Sequence, residues 1–166
     1  MLETLGHHRI YPRQIKLEIT ESVVVENNDI VISILRQFRA LGVKLSMDDF
    51  GTGYSSLSYL HSLPIDTLKI DRSFISQMTE ETESAEIVRT ILLLARNLKL
   101  DVVAEGIETI TQQDILKDLN CDYGQGYYFS RPLDVEPAKQ FIEDWMIKPD
   151  FIYAANISHQ SNFVEH

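Results

Sequence analysis

The chain has 166 residues, 44% of them hydrophobic and 24% charged, with a formal net charge of -10 and a single cysteine. That length and apolar content suit one domain with its own core and exclude a globally disordered chain. The acidic balance excludes a basic surface that tracks phosphates, so no DNA partner is expected, and the lone Cys121 excludes a disulfide framework.

The stretch from Met1 to Arg13 holds Glu3 and two histidines but no apolar run of signal-peptide length. The longest apolar stretch, Ile91 to Ala95, is too short to cross a bilayer. A cytoplasmic location is expected, although a longer parent protein could be membrane-attached.

Five short apolar or β-branched runs are predicted as strands: Ile15–Ile19, Val43–Met47, Thr67–Ile70, Asp101–Ala104 and Asp122–Gly124. Between the first two, Ile30, Ile34, Phe38 and Leu41 form an apolar helical stripe, and Gly42 is placed to end that helix. Ile87, Ile91, Leu94 and Leu98 form a second stripe. Thr111 with Asp114 reads as a capping box opening a third helix. Asp134 caps a fourth, which carries Ala138, Phe141, Ile142 and Trp145. The segment 149–166 shows no periodicity and reads as a tail behind a domain at 1–148. Strands alternating with helices predict parallel pairing through crossovers. A doubly wound sheet fits this count, whereas a closed eight-stranded barrel takes about 250 residues.

Polar residues recur at the strand ends. Glu18 and Glu21 end the first strand, Asp48 and Asp49 the second, Lys69 and Asp71 the third, Glu105 and Glu108 the fourth, and Gln125 the fifth. In parallel α/β proteins these ends converge on one face, where loops build the active site. Carboxylates gathered there repel one another unless cations hold them, and oxygen-only donors suit Mg²⁺, Mn²⁺ or Ca²⁺. Each residue also has a plain alternative. Asp48-Asp49 before Phe50-Gly51 reads equally as a turn, Lys69 with Asp71 as a surface ion pair, and Glu105 as a helix-start acid. His7 and His8 read as solvated. It is the recurrence on every strand that favours a site.

Five segments then carry a resemblance: LEITES (Leu17–Ser22), DDFGTGYSSL (Asp48–Leu57), LKIDRSFI (Leu68–Ile75), VVAEGIET (Val102–Thr109) and QGYYFSRP (Gln125–Pro132). Together they resemble the EAL-domain family of cyclic-di-GMP phosphodiesterases, in family order and with family-like spacing. The resemblance implies a modified (β/α)8 barrel of the TIM type that cleaves one phosphodiester of cyclic-di-GMP to give linear pGpG. This chain would then be a partial barrel of about five parallel strands with crossover helices.

The resemblance further implies roles. Glu18 and Asp48 match ligands of one metal ion, and Asp48, Asp49 and Glu105 match ligands of a second, the ions being Mg²⁺ or Mn²⁺ with Ca²⁺ inhibitory. Lys69 matches the residue beside the attacking water. Glu105 is a candidate base as well as a ligand, and Glu108 a supporting acid. Gln125 and Asp71 match substrate contacts. Glu21 matches the anchor of the loop Phe50 to Leu57, where Gly51 and Gly53 permit a tight conformation and which contributes to dimer coupling.

The Glu-Ala-Leu tripeptide that names the family does not occur in the sequence. The resemblance places it, with its glutamate ligand, the arginine that follows and an asparagine ligand, on strands before this chain's first. A truncated domain with weak or no activity alone is therefore expected, inside a parent that carries upstream sensory or GGDEF domains. A homodimer or swapped oligomer is expected from the open barrel edges. The alternative is a module that binds cyclic-di-GMP or pairs with other EAL domains without catalysis.

Overall fold

The computed structural model describes residues 7, 9–21, 28–51, 57–79 and 82–147. One sheet is formed by β1 (Lys16–Thr20), β2 (Lys44–Phe50), β3 (Thr67–Ile70), β4 (Asp101–Glu105) and β5 (Tyr123–Gln125). The helices are α1 (Asn28–Ala40), α2 (Leu57–Ser62), α3 (Arg72–Ser76), α4 (Glu83–Leu98), α5 (Ile110–Asp118) and α6 (Val135–Ile147). The expected tail at 149–166 and residues 52–56 of the expected glycine loop, Gly53 included, lie outside the described residues.

Every neighbouring pair is parallel, and the spatial order is β1-β2-β3-β4-β5. This order decides between the two architectures that strand count left open. Parallel crossovers are right-handed, so an order that never reverses sends every crossover to one face, as in a barrel. A doubly wound sheet needs a reversal, and there is none here. The sheet is not closed: among the described residues β1 and β5 each pair on one side only.

Register fixes which side chains face the helices. Leu45, Met47, Leu68, Ile70, Val102 and Ala104 are each at most 1% exposed, and they pack with Leu35 of α1 and Val88, Leu92 and Ala95 of α4. Burying one such side chain contributes about 2 kcal/mol, so the apolar row settles the register. The alternate residues must then share the opposite face. Glu18 stands beside Ser46, Ser46 beside Thr67, and Glu105 beside Gln125.

All five expected strands form, with small shifts at their ends. The largest is at β2, which runs on to Phe50 instead of stopping at Met47. There Met47 pairs with Leu68 and Phe50 with Ile70, so Asp48 and Asp49 together oppose Lys69 alone. This bulge restores Phe50 to the buried face and leaves both aspartates at the strand end.

Two helical expectations need correction. In α1, Ile30 and Ile34 are exposed, as is Leu41 beyond it, while Ile32 and Leu35 are buried and Val31 and Phe38 pack against the core. The helix carries two apolar stripes, and spacing alone does not say which one meets the sheet. Gly42 follows the helix at φ 88, as expected of a terminating glycine. At α5 the capping box is Thr109 with Gln112, two residues before the expected Thr111 and Asp114. The α4 stripe stands, with Ile91 buried and Ile87, Leu94 and Leu98 packed against the core. In α6, Ile142 is exposed, and the side chain of Trp145 lies outside the described residues.

Candidate active site

The polar face of the sheet culminates in one cluster. Lys69 Nζ lies 2.8 Å from Glu105 Oε1, 2.9 Å from Glu18 Oε1 and 3.0 Å from Asp48 Oδ1. Four strands thus deliver one side chain each. The Lys69 side chain is 9% exposed, against 18% for Glu105, 23% for Asp48 and 50% for Glu18, so the ammonium sits at the floor of the cluster.

Burial alone would lower the Lys69 pKa. The hydrogen bonds to Glu105, Glu18 and Asp48 and the Glu105 charge outweigh it, and they hold the ammonium well above the usual lysine range. Lys69 is therefore a fixed cation at neutral pH. Three carboxylates against one ammonium leave two negative charges uncompensated in a partly buried site. That imbalance, with oxygen donors only, fits a hard divalent cation. Among the described residues no three acidic, His or Cys side chains converge closely enough to cage a metal by themselves; the three acids meet instead on the ammonium.

The β2 bulge shapes the rim. Asp49 sits at φ 55, the left-handed region that costs a non-glycine residue energy, and its amide donates to Asp48 Oδ1 at 3.2 Å. Gly51 follows at φ 98, where a side chain would crowd Phe74. Glu21, the expected loop anchor, is a buried acid just after β1.

The remaining candidates lie around the cluster. Asp71 caps α3: its Oδ1 accepts from the Ser73 amide at 2.9 Å, and the Ser73 hydrogen bonds hold its carboxyl below the usual range. Glu108 pairs with Arg72 at 2.9 Å on the loop after β4. Gln125 stands beside Glu105 in the ladder, and its carbonyl accepts from the Ile107 amide at 3.1 Å. Gly126 follows, and any Cβ there would run into the Ile107 backbone.

Sequence reading overlooked Gln112, a buried amide with 7% exposure. Its signal was the T-x-x-Q spacing from Thr109, which marks a capping box.

A family model described as EAL domain matches residues 1–132. The cyclic di-GMP phosphodiesterase NbdA of Pseudomonas aeruginosa is 48% identical over 128 residues, 77% of this chain and 16% of that protein. The solved PaMucR phosphodiesterase in its c-di-GMP complex is 44% identical with a TM-score of 0.79, covering 82% of this chain and 56% of that one. BlrP1 of Klebsiella pneumoniae, solved in a manganese/cy-diGMP complex, is 33% identical with a TM-score of 0.74, covering 79% of this chain and 33% of that one. Across NbdA and two uncharacterised relatives the chain spans only 16% to 25% of the full protein. With the family model spanning most of the chain and solved EAL domains sharing its fold, the chain belongs to the EAL domain family.

Proposed function

We propose that this chain forms the catalytic half of a domain that hydrolyses one phosphodiester of cyclic-di-GMP to linear pGpG with divalent metal ions. The observation that carries the reading is the meeting of Glu18, Asp48 and Glu105 on the Lys69 ammonium. Glu18, Asp48, Asp49 and Glu105 would hold Mg²⁺ or Mn²⁺, with Ca²⁺ supporting binding but not turnover. When bound, such ions supply an activated water and neutralise the phosphate oxygens.

The chain's own residues divide the remaining work. Because Lys69 stays protonated, it acts as a fixed positive donor to the phosphoryl oxygens and the attacking water, and not as a base. The proton from that water passes to a carboxylate, Glu105 at the end of β4 or Glu108 on the loop that follows it. The Gln125 side chain, beside Glu105, and Asp71, next to α3, contact the substrate. Glu21 anchors the loop that follows β2.

The partners follow from the same reading. The domain acts in the cytoplasm within a longer signalling protein that carries sensory or GGDEF domains, and it pairs with a second copy. A second reading is a module that binds cyclic-di-GMP without cleaving it, favoured by the three acids meeting on Lys69 and not as a metal cage among the described residues.

Calorimetry tests the site. Cyclic-di-GMP is titrated into the protein with Ca²⁺ present, then with chelator, and then into Asp48→Asn. Binding that needs the metal and weakens at least tenfold in the variant is expected. Metal-independent binding, or equal affinity in the variant, would overturn the assignment of Asp48 and its neighbours.

A further inference from the structure

Lys69 and Glu105 touch at 2.8 Å, yet they lie on different strands whose continuations leave the sheet as separate loops. The backbone ladder between β3 and β4 pairs Lys69 with Val103 and Ile70 with Ala104, and it stops short of Glu105. Something beyond the ladder has to hold the loop after β4 against the segment after β3.

Gln112 spans those two segments. Its Oε1 accepts from the amides of Glu108 at 2.8 Å and Thr109 at 3.0 Å, on the loop that follows Glu105, the last residue of β4. Its Nε2 donates to the carbonyl of Ile75 at 3.1 Å, in the last turn of α3, which begins three residues after Lys69. The Gln112 side chain is buried, the bond to Ile75 fully and the two to the loop amides partly, so the amide is held from both ends with little competition from solvent. A capping-box glutamine needs only the bond back to its own helix start. The bond to Ile75 leaves the helix and reaches 37 residues back along the chain.

A second, more exposed tie runs in parallel. Arg72, the first residue of α3, pairs with Glu108, and its stem lies flat on Gly106, where an added Cβ would fall 2.8 Å from Arg72 Cβ. Gly106 at φ 74 leaves that space open.

We propose that Gln112 is a positioning residue: its buried amide ties the loop that leaves β4 directly after Glu105, and bears Glu108, to the helix that follows Lys69, and so sets Glu105 against the ammonium. The consequence for metal binding rests on the function proposed above, while the tie itself stands on the geometry alone.

Two substitutions separate this role from simple helix capping. Gln112→Glu keeps an acceptor for the Glu108 and Thr109 amides, and so keeps the capping box, but turns an acceptor toward the Ile75 carbonyl. Gln112→Leu removes both ends. Mn²⁺ affinity is measured by calorimetry, and amide hydrogen exchange is followed over residues 72–79 in the metal-free protein. The expected result is at least tenfold weaker Mn²⁺ binding and at least tenfold faster exchange over 72–79 in both variants. If Gln112→Glu matches the unsubstituted protein in both measurements while Gln112→Leu does not, the residue is a cap and the proposal is overturned. Should the unsubstituted protein bind no Mn²⁺, the metal assignment fails by itself. Exchange then decides the tie: faster in both variants supports it, and unchanged in Gln112→Glu overturns it.

Discussion

Lys69 is the residue on which the site turns, since three strands reach it with one carboxylate each. Lys69→Met should lower turnover of the assembled domain about 100-fold or more, the scale seen when one preorganised donor to a developing anion is removed. It should also lower the melting temperature at pH 7, because three carboxylates are left facing one another. The pH dependence has a definite sign. The folded pKa of Lys69 is raised, so its stabilisation is complete below the ordinary lysine value near 10.4 and fades only as the pH climbs through the folded value. Melting curves of the two proteins should therefore differ equally at pH 7 and pH 9 and converge only above about pH 10. A gap that closes between pH 7 and 9 would contradict the ion-paired geometry.

Asp71 behaves in the opposite sense. Its folded pKa is lowered by the Ser73 hydrogen bonds, so its contribution is present above the ordinary aspartate value and is lost as the pH falls through the folded one. Asp71→Ala should cost about 1 kcal/mol at neutral pH by removing the α3 cap, with the difference shrinking in thermal melts as the pH falls below the ordinary aspartate range. Glu18, Asp48, Lys69 and Glu105 were legible in the sequence because strand ends of parallel sheets converge. For Gln112 the spacing from Thr109 signals only the cap; its second partner, the Ile75 carbonyl, is a backbone group that no side-chain pattern reveals.

At the scale of elements, the β2 bulge does most to shape the site. Two aspartates opposing one lysine keep Phe50 in the core, and a strict two-residue alternation would have turned Phe50 to the polar face. The sequence showed a strand and an Asp-Asp pair but not the bulge, since the register shift depends on pairing with β3. The turn after β5 is as constrained. Gly126 packs on Ile107, whose amide donates to Gln125 and whose carbonyl accepts from Tyr128. Gly126→Ala should cost about 3 kcal/mol in chemical denaturation, because backbone cannot yield as a side-chain tip does. A variant as stable as the unsubstituted protein would contradict this packing. Helix α1 shows the limit of periodicity: of its expected Ile30, Ile34, Phe38 and Leu41 stripe only Phe38 packs inward, beside Val31, Ile32 and Leu35, and only the sheet decides.

Across the whole molecule, spatial strand order is the feature that sequence could not supply from its own pattern. Alternating strands and helices fit a doubly wound sheet equally well until the order was seen to run without reversal. Among the described residues no helix is long and apolar enough to cross a membrane. The central strand β3 is fully buried while, among the described residues, β1 and β5 each pair on one side only, so stability should fall outward from the middle. Amide exchange should be slowest at Leu68 and Ile70 and fastest in β1 and β5, and uniform protection across all five strands would point to edges covered by another copy.

If these strand ends are the catalytic half of a cyclic-di-GMP phosphodiesterase, as proposed, they should work in place of the matching part of a related one. The most direct test replaces the matching part of the PaMucR phosphodiesterase domain with residues 16–132 of this chain and follows pGpG in Mn²⁺ by chromatography. The expected result is turnover that Asp48→Asn abolishes. A folded chimera that binds cyclic-di-GMP but never cleaves it, or one that Asp48→Asn leaves active, would contradict the account.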